Sequence, residues 1–180
     1  MFAYVLVLIA VLSRYAVVSH MAWLNFTAVG GSLLYFGARR SWREMLAPLA
    51  VLMVCDYCLT TYVYHFAFRW QDYTISWTWY VAAMALGWIL LHGRVSFLRG
   101  AVAALLGPTS FFVVSNFGVW ASGFNGYPHT LAGLATCYWA AIPFYRNDLL
   151  STSIVLAAAF GLPALAHHWQ FNRALNVAIK

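Results

Sequence analysis

PTSFFVVSNFGVWASGFNGYP, residues 108–128, is the stretch whose reading decides the fold. It begins as an apolar, helix-like run. It ends by placing Asn116, Trp120, Asn125 and Tyr127 close together, with Gly118, Gly123 and Gly126 between them. A helix in lipid that ends in amides, glycines and rings is building something at that end. Which side of the membrane that end faces must be read from the rest of the chain.

The chain has 180 residues, 64% hydrophobic and 8% charged. A soluble domain carries about 25% charged residues, so composition alone indicates a membrane protein. The length suits one domain of roughly six spans, at about 20 apolar residues each. The net charge of +6 comes from ten scattered basic residues. No basic run points to nucleic acid, and such residues mainly set orientation in a membrane. Cys55, Cys58 and Cys137 are an odd count, which is not a secreted disulfide framework. The N-terminus is apolar from Phe2, lacks a basic n-region and carries Arg14, so a retained first helix is expected.

The apolar runs predict an all-α polytopic membrane helix bundle with about six transmembrane helices. The expected spans are 2–18, 21–38, 44–65, 75–92, 96–120 and 149–168. Residues 131–144 are apolar but short, with Pro128 before them and Pro143 near their end. They are expected to form a re-entrant or surface helix. No period-two alternation supports a barrel, and helices are the other way to satisfy backbone groups in lipid.

Charge placement agrees with that count. Arg39, Arg40, Arg43, Arg94, Arg99, Arg173 and Lys180 fall on one side. The other side has Arg69 offset by Asp72, and Arg146 offset by Asp148. The positive-inside rule then puts both termini in the cytoplasm, and residues 108–128 end on the outer side.

Arg14 and Asp56 are the deepest charges, and their depths match. Each needs a partner or water in lipid. They fit a structural ion pair, a polar floor under an outward cavity, or a proton relay. Trp70, Trp77, Trp79 and Tyr80 fit an interfacial aromatic belt or the wall of a ligand site. Asn25, Asn116, Tyr64 and Tyr127, with His20, His65 and His129, make the outer end polar and aromatic. Pockets need that mix. Cys55 and Cys58 form a CxxC pair on one helical face. Two thiolates are half of a zinc site, and small buried hydrophobes are the plainer reading. There is no GxxxxGK[ST] loop, HExxH or GxSxG. The sequence therefore points away from an enzyme and calls for no cofactor.

Three blocks carry a resemblance: LNFTAVGGSLLYFGAR (24–39), PTSFFVVSNFGVW (108–120) and YPHTLAGLATCYWAAIPFYRN (127–147). They resemble the signature blocks of a family of small, uncharacterised bacterial membrane proteins grouped as transport proteins. That family is similar in layout to the substrate-binding S-components of energy-coupling factor (ECF) transporters. The resemblance implies a six-helix bundle in the bacterial cytoplasmic membrane that captures a vitamin-like micronutrient outside. It implies as partners a coupling membrane protein and two cytosolic ATPases. S-components dock through an AxxxA pattern on the first helix, where this chain has Ala3, Ala10 and Ala16.

The expected function is therefore capture and transport of a small molecule. Asn25 and Asn116 would supply amide donors and acceptors. Trp120, Tyr127 and Tyr138 would supply stacking surface, and Arg14 and Asp56 the polar floor. Residues 123–141 would act as a lid. The alternatives are a cysteine-dependent redox or metal-binding membrane protein, and a structural subunit without a ligand. Few charges around an aromatic site favour a flat, largely neutral solute over a phosphate, which would call for clustered Arg or Lys.

Overall fold

A computed structural model describes residues 1–18, 26–93 and 95–178, excepting the side chains at 17, 18, 124, 164–168 and 170–178. It is all helical among the described residues. The helices are α1 (Phe2–Val18), α2 (Val29–Arg39), α3 (Leu46–Cys58), α4 (Thr74–Leu91), α5 (Phe97–Ala121) and α6 (Leu131–Ala178). Short 3₁₀ turns precede α3, α4 and α6, and a π-helical turn (Leu59–Val63) continues α3.

Among the described residues, three helical stretches are long and apolar enough to cross a membrane: Trp42–Val63, Trp70–Leu91 and Phe97–Ala121. The shorter apolar helix Phe2–Ala16 shows why composition reads as it does. Its buried stripe is Ala3, Leu6, Val7 and Ala10, at helical spacing, while Leu8 and Leu12 on the other face are equally apolar and exposed. A helix that is apolar all round belongs in lipid. Ala3 and Ala10 are thus spent inside the bundle.

Helix α2 is the hub, with residues 29 to 38 all buried. Its widest contact is with α4. A Cβ added at Gly37 would collide with the backbone of Met84, and one at Gly87 with the backbone of Leu34. Two glycines, one per helix, therefore let the backbones touch, as small residues do in membrane packing. Helices α4, α5 and α6 follow in sequence around this hub, and α1 packs on its other side.

The helix ends sort by charge. Tyr4 donates to Glu44 at 2.6 Å, and Arg40 pairs with the same carboxylate. Ser41 and Glu44 form a capping box on the 3₁₀ turn before α3. Arg39 lies over Phe160 of α6, 5.0 Å from the ring centre, and Arg99 donates to Ile89 O. Arg39, Arg40, Arg43 and Arg99 therefore share one end of the bundle. The α3–α4 loop with Arg69 and the α5–α6 loop form the opposite, aromatic end. Arg94 and Lys180 lie outside the described residues, as does the Arg173 side chain.

Two expectations need correction. Residues 131–144 and 149–168 are one helix, not a surface helix followed by a span. The joining residues 145–150 contain neither Gly nor Pro, and Pro143 sits within the helix instead of ending it. Membrane helices tolerate such prolines. In addition, Asp148 does not offset Arg146. Two residues apart is about 200° round a helix, so Arg146 is exposed and Asp148 is buried.

Candidate functional site

The sequence places Arg14 near the end of α1 and Asp56 near the end of α3, and the fold brings them together. Arg14 Nη2 donates to Asp56 Oδ1 at 2.5 Å. The Asp56 side chain is 1% exposed and that of Arg14 19%. The second carboxylate oxygen accepts from Trp77 Nε1 at 2.9 Å and from the Tyr80 hydroxyl at 3.4 Å. Arg14 Nη1 also donates to the Tyr80 oxygen at 3.4 Å. Trp77 and Tyr80 are three apart on α4 and so share a face. Three helices thus close a polar quartet in which both Asp56 oxygens are occupied. A buried pair of charges repays its desolvation when the remaining lone pairs are also satisfied.

The π-helical turn starts three residues after Asp56. Such turns recur at functional sites. Here it presents Thr60, whose hydroxyl donates to Asp56 O at 2.7 Å and also bonds the Tyr73 hydroxyl. Tyr73, Phe68 and Trp77 pack mutually, with centroids 5.3, 5.9 and 6.4 Å apart. The aromatic side chains of the α3–α4 loop therefore cluster against Trp77 of the quartet.

Beside this cluster is a cavity of about 600 Å³, within the ~300–1,000 Å³ of small-molecule sites. One wall is the loop and the start of α4, including Thr60, Phe66, Arg69 and Tyr73. The other is a stripe of α5: Ser115, Gly118, Val119 and Ser122. Thr60 links cavity and quartet, since it lines the one and bonds to the backbone of the other.

The expected site residues divide between two places. Arg14 and Asp56 form the quartet. Trp120 and Tyr138 instead fasten α5 to the loop beyond it and to α6, and Asn116 turns back onto its own helix. Asn116 Nδ2 donates to Phe112 O at 2.8 Å, one turn back on its own helix. Trp120 Nε1 donates to Pro128 O at 3.0 Å, with its ring 5.5 Å from that of His129. Tyr138 donates to Val113 O at 2.7 Å. Tyr127 is half-buried in the α5–α6 loop. Asn25 and His20 lie outside the described residues. The loop turns through Gly123 and Gly126, both with φ near +70°, where glycine alone is unstrained.

The sequence reading missed Trp77 and Tyr80 as partners of Asp56, and the α5 stripe as a cavity wall. The stripe's signal was present. Residues 115, 118, 119 and 122 have the i, i+3, i+4, i+7 spacing of one helical face, and all are small. Asn116 and Trp120 each lie one position beyond a stripe residue, about 100° round the helix.

The cysteines do not assemble a centre. All three are free. Cys55 and Cys58 are on α3, while the Cys137 thiol donates to Asn116 O at 3.4 Å in the α5–α6 interface. Among the described residues no three His, Cys, Asp or Glu side chains gather as a metal site.

Neither a curated protein nor a solved structure matches the chain. A family model does match, over residues 1–175, which is nearly the whole length. An all-helical membrane-type bundle with a buried Arg–Asp pair, linked through Thr60 to a cavity beside it, is thus what this sequence builds as a member of the family of unknown function DUF6580.

Proposed function

We propose that the protein is the substrate-binding part of a membrane transport system and takes a small, flat, largely neutral, vitamin-like solute from the outer side. The observation that carries this reading is the cavity of about 600 Å³ between the α3–α4 loop and α5, joined to the Asp56 quartet by Thr60. Aromatic walls with a few placed polar groups are what a small-molecule site requires. Tyr73 and Phe66 offer rings, Ser115, Ser122 and Thr60 offer hydroxyls, and Arg69 offers a cation at the rim. The Arg14–Asp56 pair anchors the floor through Thr60. The positive-inside rule supports cytoplasmic termini and an outward cavity, because Arg39, Arg40, Arg43 and Arg99 gather at the other end. The likeness in layout to ECF S-components would add a coupling membrane protein and cytosolic ATPases as partners, in a bacterial cytoplasmic membrane.

Native mass spectrometry of the gently purified protein tests the reading. A small molecule should be retained by the wild type and lost from Val119→Trp, which fills the cavity. A wild type that carries no molecule, or a variant that retains it, overturns the reading. Co-purification of an ATPase decides whether transport is energised through partners.

A further inference from the structure

A cavity of about 750 Å³ lies at the arginine end of the bundle, between the start of α5 and the middle of α6. Small side chains make the space. Gly100, Ala101 and Ala104 of α5 line it together with Ala157 and Gly161 of α6. A Cβ added at Gly100 or at Gly161 would meet nothing within 4 Å. These glycines differ in kind from Gly37 and Gly87, which let two backbones touch. Glycine inside a helix is destabilising, and no contact among the described residues accounts for it here. The cavity opens sideways where α5 and α6 face lipid, since Ala101 and Ala157 are exposed.

The side chains lining it are apolar apart from Arg39, Ser96 and Ser153. Ser153 Oγ donates back to Leu149 O on its own helix, and Ser96 Oγ accepts from Arg99 N. Arg39 is the one cation in the lining. Its guanidinium lies 5.0 Å from the Phe160 ring centre and 6.0 Å from that of Tyr35. Ring faces attract the cation but leave its planar N–H donors free to bond, and among the described residues no carboxylate pairs with it. The acid at this end, Glu44, is taken by Arg40, Tyr4 and Ser41. Arg39, Arg40, Arg43 and Arg99 therefore leave an excess of positive charge at the mouth. A soluble solute would ask for several placed polar groups. One arginine at the mouth of an apolar trough instead matches an amphiphile with an anionic head. Basic pockets between membrane helices on the cytoplasmic side bind anionic lipid headgroups, and a guanidinium suits phosphate through two parallel N–H donors.

We infer that this groove holds one anionic phospholipid of the adjacent leaflet, with its phosphate on Arg39 and an acyl chain along the small residues of α5 and α6. The inference does not depend on what occupies the cavity at the aromatic end. The test melts the full-length protein in detergent with dioleoyl phosphatidylglycerol or dioleoyl phosphatidylcholine at equal concentration. Phosphatidylglycerol should raise the melting temperature saturably over phosphatidylcholine, because a ligand that binds only the folded state stabilises it. Arg39→Gln should weaken that apparent affinity by about tenfold or more. Arg43→Gln removes the same charge from the same end but lies off the groove, and should weaken it no more than about fivefold. Gly161→Leu, whose Cβ has open space, fills the trough and should weaken it as much as Arg39→Gln. Equal melting in the two lipids overturns the inference. So do equal losses from Arg39→Gln and Arg43→Gln, which would mean general surface charge, and a rise reproduced by glycerol 3-phosphate, which would mean an anion site without a chain. A dimer that Gly161→Leu converts to monomer overturns it in favour of a second copy in the groove. If Arg39→Gln does not fold, an unchanged affinity in Gly161→Leu overturns it.

Discussion

Asp56 and Asp148 are both carboxylates buried in a helical membrane bundle, and their surroundings are opposites. Asp56 has an arginine on one oxygen and an indole and a phenol on the other. Asp148 has the Thr152 hydroxyl beside it and faces a small cavity of about 110 Å³ lined by Phe111, Phe112 and Phe144 as well as Ser115 and Asn116. The first is held by a cation and two further donors. The second has no cation within ion-pair distance among the described residues. Two buried carboxylates in one bundle therefore differ in what holds them, and burial alone does not say which is charged.

The largest expected effect tests whether Asp56 is truly complete. Arg14→Met strands a charge and should cost about 3–5 kcal/mol of stability, read by thermal unfolding in detergent. The double variant Arg14→Met with Asp56→Leu should recover most of that loss, because an apolar pair leaves nothing unpaired. If the double variant is as unstable as the single one, the quartet is not a balanced unit. Next, Trp77→Phe removes one donor to Asp56 Oδ2 and should cost ~1–3 kcal/mol. Asp148→Asn, by contrast, should shift stability by no more than about 1 kcal/mol, since no charged partner is lost and the amide oxygen can still accept from Thr152. A loss as large as that of Arg14→Met would show that Asp148 has a charged partner within the chain and would erase the contrast. A small effect is expected from Trp120→Phe as well. It gives up a bond to Pro128 O in an exposed loop and should cost about 0.5–1 kcal/mol, seen as faster proteolysis between α5 and α6.

Much of the helical framework was legible because apolar runs translate directly into helices in lipid. The expected spans 75–92 and 96–120 differ from α4 and α5 by a residue or two. The matched depths of Arg14 and Asp56 were legible too, because position along a span is a depth. What was not legible is which way a helix face turns. Arg146 and Asp148 read as neighbours in sequence, yet they occupy opposite faces. Asn116 drew notice as an amide in an apolar run, but an amide can satisfy itself on the carbonyl four residues back and signal nothing. Gly118 drew notice only as a spacer between polar residues, and not as one face of a wall with Ser115, Val119 and Ser122, because a cavity wall is marked by what is small. The continuity of α6 was hidden by Pro143, which reads as a stop in water and need not be one in a membrane.

The reciprocal glycines of α2 and α4 carry a mechanical consequence. With Gly37 seated against the Met84 backbone and Gly87 against that of Leu34, neither helix can slide or roll on the other without a steric clash. The two behave as a keel. Any shape change that opens or shuts either cavity must be borne by the other walls, α3 with its π-helical turn and the α5–α6 pair. Pro108, buried inside α5, leaves the carbonyl one turn before it without its usual bond, and so gives that wall its natural place to flex.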